Sequence, residues 1–266
     1  MRVVTQNLWG VRGDWEARRK VLQQGLHDLD ADIVSFQEAI RRDGCDTARD
    51  LLGDDYEIVY QRNPEPDGQI AAIASKWPIT KSDELDQHVT AQVDSANMTL
   101  VAEIHAPEPF GVVLVVNHLP YWKLTAAYER ELQARAGAKF VEDLVGDREL
   151  HVIVASDLTD PPDSSSVRFW TGRQSLGGYG VSYRDAWESL HRDEPGDTYS
   201  PENANLIDHD WPFRRLDYIL VRCGLHGGPT LEIKRCERIF DKPEAGVWGS
   251  DHYGVVADLE IPSRRT

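Results

Sequence analysis

The sequence predicts an α+β protein in which two packed, mainly antiparallel sheets carry helices on their outer faces. Apolar runs of strand length outnumber the helical stretches, and most are joined by connections suited to antiparallel pairing. Several of these runs begin or end on polar groups capable of chemistry: Asn7, Glu38, Asn117 with His118, Asp157, and Asp251 with His252. Strand ends are where a rigid sheet presents functional residues. At 266 residues the chain is long enough for two average domains. A sandwich of this length often closes around one extended core, so a single domain over residues 1–266 is expected.

The first apolar run delivers Asn7. Asp14 then stands where it can cap a helix whose apolar positions Ala17, Val21, Leu22, Leu26 and Leu29 recur at three- and four-residue steps. A strand over residues 32–36 brings Glu38 to its end. Runs 56–60 and 69–75 read as strands joined by the turn-rich loop 61–68, which is either a plain connector or a wall facing substrate. Residues 99–104 and 111–116 form another pair, the second ending at Asn117 and His118. The stretch 124–145, rich in Ala, Glu, Arg and Leu, is helical, and Val152, Ile153 and Val154 lead into Asp157.

Pro161, Pro162, Asp163 and Ser164 break the chain and cap a short helix over 166–170, and a further helix covers 183–190. The loop 194–212 is long for a compact domain, which points to function; it carries Tyr199, Asn203, Asn205, Asp208, His209 and Trp211. A strand over 216–221 follows it. The last strand, 255–261, has Asp251 and His252 at its mouth, where a sharp turn compatible with Gly254 would aim both into one pocket. No low-complexity segment or short-period repeat occurs, although both halves hold strands that end in candidate site residues around a helix.

Charge narrows the partners. Lys and Arg total 29 against 45 Asp and Glu, a formal net charge of −16, which disfavours a nonspecific grip on a nucleic-acid backbone. The sparse group Arg168, Arg173 and Arg184 reads as surface charge. No run of eighteen apolar residues suggests a membrane span, and the opening residues leave no room for a secretion signal, so a cytosolic location and a monomer are expected. The three cysteines, Cys45, Cys223 and Cys236, have neither metal-type spacing nor an even count for disulfides. Cys223 and Cys236 read as free, buried thiols on neighbouring strands.

Seven segments in order carry a family resemblance: Thr5-Gln6-Asn7, Ser35-Phe36-Gln37-Glu38-Ala39, residues 71–79 (AAIASKWPI), Asn117-His118-Leu119, residues 155–162 (ASDLTDPP), Arg215-Leu216-Asp217-Tyr218-Ile219 and Ser250-Asp251-His252. Each is weak alone, but together they resemble the endonuclease/exonuclease/phosphatase family over nearly the whole chain. The resemblance implies a four-layered α/β/β/α sandwich with its site at one edge where the sheets meet. It also implies hydrolysis of a phosphate ester with Mg²⁺ or Mn²⁺, hard cations that take oxygen ligands and so suit this residue set better than zinc. Glu38 is then the principal metal ligand, with Asn7 and Asp251 completing or supporting the shell. Asp157 orients or deprotonates the attacking water. His252 contacts the scissile phosphate, oriented by Asp217, and Asn117 and His118 donate hydrogen bonds to phosphoryl oxygens.

One segment departs from the family pattern. Ser156-Asp157-Leu158-Thr159 stands where the family usually has Gly-Asp-Phe followed by Asn or Asp, so Thr159 offers a short hydroxyl in place of an amide or carboxylate. Ser156 in place of glycine suggests a backbone without positive φ there. The expected substrate is a small or soluble phosphate ester. A nuclease would need a local basic groove and stacking side chains, for which Tyr121, Trp122, Trp170 and Trp211 are candidates. A non-catalytic binding module would follow if Thr159 marked a degraded site, and a lipid phosphodiesterase lacks an evident basic amphipathic helix. For Asp217 the structural alternative is an ion pair with Arg214 or Arg215.

Overall fold

Alternation along strands divides their apolar residues between two faces. In the computed structural model, which describes residues 1–206, 214–225 and 227–263, this division builds three apolar layers. On β1 (Arg2–Asn7) and β2 (Ile33–Arg42), Val3 and Ile33 point into the core between the sheets, while Val4 and Val34 point outward beneath helices. The outward residues meet Leu22 and Leu26 of α1 (Trp15–Leu29) and Leu51 of α2 (Thr47–Leu52). Asp14 caps α1 as the sequence suggests, accepting from the backbone N–H of Ala17 at 3.1 Å.

One sheet runs β12 (Glu232–Ile239), β13 (Gly254–Glu260), β1, β2, β5 (Gln69–Ser75) and β4 (Glu57–Tyr60), with the short β3 (Cys45–Asp46) on the end of β2. The other runs β10 (Tyr183–Asp185), β11 (Asp217–Arg222), β9 (His151–Asp157), β8 (Val112–Leu119), β7 (Met98–His105) and β6 (Ile79–Asp86). Neighbours are antiparallel except for one central parallel pair in each sheet, β1 with β2 and β8 with β9. Val115, Ile153 and Ile219 fill the inter-sheet core, and Val116, Val154 and Leu220 face α3 (Ala127–Val145) and α4 (Ser165–Trp170). This is the expected four-layered sandwich.

Several boundaries differ from the sequence reading. Residues 183–185 form β10 rather than the start of a helix, and α5 (Ala186–Leu190) begins only after Asp185, whose side chain caps it by accepting from the N–H groups of Trp187 and Glu188. Asn117 and His118 lie within β8, not beyond it. β6 has no counterpart in the sequence reading. It is an edge strand whose exposed Lys81 and half-buried Asp83 protect the edge and break the apolar alternation. Cys223 lies just past β11 in one sheet and Cys236 on β12 in the other, so they are not on neighbouring strands; Cys223 is half-buried and Cys236 buried, and all three cysteines are free thiols. Among the described residues no helix is long and apolar enough to cross a membrane.

Candidate active site

The inter-sheet core changes from apolar to polar at one edge, and the site is built on that change. Thr5, Ser35, Gln37, Asn117 and Ser156 are fully buried there. Gln37 Nε2 donates to Asn117 Oδ1 at 3.2 Å, and Asn117 Nδ2 donates across to the Phe36 carbonyl at 2.8 Å. That cross-sheet bond lies beside a bulge: the β2 to β5 register shifts between Phe36 and Ala39, and Glu38 takes φ +52°. A left-handed glutamate inside a strand is uncommon. The bulge is what re-aims Glu38 into the cavity.

Asn7, at the end of β1 and 1 % exposed, ties two acids together. Its Nδ2 donates to Asp157 Oδ2 at 3.0 Å and to Glu38 Oε1 at 3.3 Å, while its Oδ1 accepts from the N–H of Trp9 at 2.9 Å. Asp157 ends β9 directly opposite Asp217 of β11, and antiparallel partners point to the same face. Burial, opposed by His252 and assisted by Asp217, pushes the Asp157 carboxyl up to about 7. Its Oδ1 also accepts from the N–H of Thr159 at 2.7 Å. Thr159 has φ +61°, a conformation that a β-branched residue rarely adopts.

Asp217 pairs with His252 rather than with an arginine. Its Oδ2 accepts from Thr198 Oγ1 at 2.6 Å and from His252 Nδ1 at 2.9 Å, whereas Arg215 pairs with Asp185 at 2.6 Å. Burial opposes charge on the His252 ring, yet Asp217, Asp157 and Asp251 together hold its pKa well above the ordinary histidine value. The ring also meets Tyr199 edge-on, with centroids 5.1 Å apart. Asp251 is raised to about 6, chiefly by burial, with Glu38 adding to the rise against the pull of His252. Gly254 does not supply a left-handed turn. It opens β13, and a Cβ there would come within 2.3 Å of Gln6 Oε1, so close approach is what requires glycine.

Glu38, Asp157, Thr159, Asp251 and His252 all line a cavity of about 740 Å³. Loops 61–68 and 119–125 contribute Glu65, Asp67, Pro120 and Trp122, so the first of these is a cavity wall and not merely a connector. Asn117 and His118 do not line it. His118 is turned to the opposite face of β8, where its Nδ1 shares a 2.8 Å hydrogen bond with its cross-strand partner Thr99 and its ring packs on Trp170. Burial lowers its pKa to about 3, so the ring is neutral. The expected donation from both residues to phosphoryl oxygens has no counterpart here, because one braces the Glu38 bulge and the other is packed under α3. Arg168, Arg173 and Arg184 are also remote from the cavity, and Asp208, His209 and Trp211 lie outside the described residues.

Two arginines escaped the sequence reading. Arg12 donates to Glu38 Oε2 at 2.8 Å and, among the described residues, is the one Arg or Lys lining the cavity. Arg18 is 2 % exposed, between the rings of Trp9 and Trp15, and donates to the carbonyls of Leu8, Gly10, Arg12 and Gly249. It thus ties the loop after Asn7 to the loop before Asp251. A signal was present: Arg18 lies four residues before Leu22 and eight before Leu26, on the apolar stripe of α1.

The donor set suits a hard divalent cation. Asp157, Asp217 and His252 offer ligand atoms within 4.8 Å of one another. Asp217 Oδ2 and His252 Nδ1, however, are engaged with each other, and the strand-end carboxylates that line the cavity are Glu38, Asp157 and Asp251. Crowded acids with raised pKa values and an arginine resting on Glu38 are what a cation would relieve. The sequence matches the Endonuclease/Exonuclease/phosphatase family over residues 4–252.

The chain belongs to that family. As a member of the Endonuclease/Exonuclease/phosphatase family it is a metal-dependent hydrolase of phosphoric ester bonds. Among curated proteins no sequence matches it. Its fold is similar to that of D. rerio TDP2 complexed with single strand DNA product, at TM-score 0.78 and 18 % identity over 98 % of this chain and 99 % of that one. Truncated Caenorhabditis elegans TDP2 gives 0.77 and 19 %, covering 98 % and 97 %. The human Nocturnin catalytic domain with bound sulfate anion gives 0.74 and 16 %, covering 98 % and 94 %. At such identities the likeness is one of fold.

Proposed function

We propose that the chain is a Mg²⁺- or Mn²⁺-dependent phosphoesterase acting on small, soluble phosphate esters. The observation that carries this reading is the Asn7 amide joining Glu38 to Asp157 on one side of a cavity whose other side holds the Asp217–His252 pair. Glu38, with Asn7 and Asp251, would hold the ion. When bound, it supplies screening of the phosphoryl oxygens and of the charge that develops on the leaving oxygen. Asp157 accepts a proton from water as the water oxygen bonds to phosphorus. The phosphorus–oxygen bond to the alcohol breaks, its electron pair stays on the departing oxygen, and that oxygen takes a proton from solvent. The His252 imidazolium, fixed through Nδ1 by Asp217, hydrogen-bonds a phosphoryl oxygen as charge shifts there. Thr159 presents its backbone N–H to Asp157 and its hydroxyl to the same phosphate. Asn117 and His118 act by positioning.

Small substrates are favoured by the wall charge, since Glu65 and Asp67 line the cavity and would repel the further phosphates of a strand. The nuclease reading draws on the fold shared with a TDP2 seen with single strand DNA product. This reading takes residues 1–266 as one cytosolic domain acting as a monomer, and the shared inter-sheet core supports the single domain. The test is hydrolysis of phosphate mono- and diesters with Mg²⁺, Mn²⁺ or EDTA, beside Glu38→Gln and Asp157→Asn. Metal-dependent turnover lost in both variants is expected. Turnover that survives EDTA, or that is confined to nucleic acid, would overturn the proposal.

A further inference from the structure

We infer that Trp122 is the platform of a leaving-group subsite, and that the preferred substrate carries a flat aromatic ring and no second phosphate. This rests on the phosphoesterase reading above. Trp122 is 53 % exposed and lines the same cavity that Asp157 and His252 line. Single exposed aromatics are ordinary on protein surfaces. What distinguishes this one is the bracing of the loop that presents it.

Arg130 of α3, 4 % exposed, donates to the carbonyls of Tyr121, Lys123 and Leu124 and pairs through Nε with Asp160 at 2.8 Å. Asp160 follows Thr159, so one arginine ties the Trp122 loop to the segment holding Asp157. Gln133, fully buried, accepts from the N–H of Tyr121 at 2.8 Å and donates to the Gln87 carbonyl at 2.9 Å. Asn97 donates to the carbonyls of Leu119 and Pro120, and Gln61 donates to that of Ala96 at 2.8 Å. Tyr121 and Lys123 both bind Asp94. Loops 61–68, 90–97 and 119–125 are therefore one cross-braced wall. A ring that lands on Trp122 meets a surface already ordered, so little conformational entropy is lost on binding.

The wall also selects against charge. Glu65 and Asp67 repel a second phosphate, and Arg12 stands with Glu38. Stacking on the aromatic rings of the lining and neutral hydrogen bonds then remain as the means of holding the alcohol portion, and among those rings Trp122 is exposed whereas Trp9 and Tyr199 are half-buried.

The experiment compares naphthylmethyl phosphate with cyclohexylmethyl phosphate, whose leaving alcohols are similarly basic, in the wild type, Trp122→Phe and Trp122→Ala with Mg²⁺. The wild type is expected to favour the aromatic ester about tenfold in kcat/KM, mainly through KM, as stacking on one aromatic side chain supplies. The preference should fall toward unity in Trp122→Ala and largely persist in Trp122→Phe, with Tm within about 2 °C of wild type. A wild type without the preference, or a preference that survives Trp122→Ala, would overturn the inference. Should neither ester be hydrolysed with any metal, the phosphoesterase reading fails by itself. The subsite is then read by calorimetry with the two corresponding phosphonates, where a preference abolished by Trp122→Ala supports it and equal affinities sink it.

Discussion

Adding Mg²⁺ at pH 6 is expected to expel protons from the site, whereas at pH 8 it should expel almost none. The carboxyl of Asp157 stands at about 7 and that of Asp251 at about 6, both raised first by burial. At pH 6 roughly nine-tenths of the first and half of the second are protonated, so an ion held by Asp251 and lying beside Asp157, which favours both as carboxylates, displaces up to about 1.4 protons. At pH 8 the same occupancies leave about 0.1 proton to displace. Competition between ion and protons then weakens apparent affinity at pH 6 by about twentyfold relative to pH 8. Calorimetric titration at both pH values, in buffers with different ionisation heats, measures the proton count directly. Asp157→Asn should reduce the release at pH 6 to about half a proton, the share of Asp251. A wild-type release below about 0.3 proton at pH 6 would refute the reasoning, because the acids would then already be ionised without the metal.

Three further outcomes follow from the same geometry. In the metal-free protein, raised acids and a raised histidine contribute stability at low pH that is lost as pH rises through their folded-state values; Tm should therefore fall between about pH 5 and 8 and be restored by Mg²⁺. Arg18→Met leaves four backbone carbonyls without a donor at about 1–3 kcal/mol each, offset by about 3 kcal/mol from removing a charge that burial lowers to about 10. A net loss between about 1 and 9 kcal/mol, seen as a Tm lower by at least roughly 2 °C together with weaker Mg²⁺ binding, is expected, with Arg18→Lys intermediate. Thr159→Asn should raise Tm by roughly 2–3 °C, since asparagine tolerates φ +61° and releases about 1 kcal/mol of backbone strain; calorimetry reads this without any substrate.

What was legible in the sequence is what sits on strand ends. Asn7, Asp157 and Asp217 terminate or open runs whose apolar alternation is plain, so their neighbourhood follows once the sheets are packed. β6 was not legible because an edge strand covered by charges has no alternation to read. The helix expected over 183–190 failed at Asp185, where a residue that looks like helix interior is the cap after a three-residue strand. Arg18 was visible only as a charge on an apolar stripe, and its four carbonyl partners come from segments far apart in sequence.

Asn117 shows why motif order and side-chain role are separate matters. It stands where a phosphate contact was expected, at the right place in the order of segments. Residues 117 and 118 nevertheless face opposite sides of β8, and neither lines the cavity. Asn117 instead donates to the Phe36 carbonyl beside the point where β2 leaves its register, and so joins the second sheet to the bulge of the first. An amide that holds two sheets at the spacing the bulge requires governs where the Glu38 carboxylate points without touching substrate. Its loss should therefore act on metal affinity through Glu38 before it acts on any later step. That coupling makes the packing of the two sheets, and not only the residues at their edge, a determinant of the site.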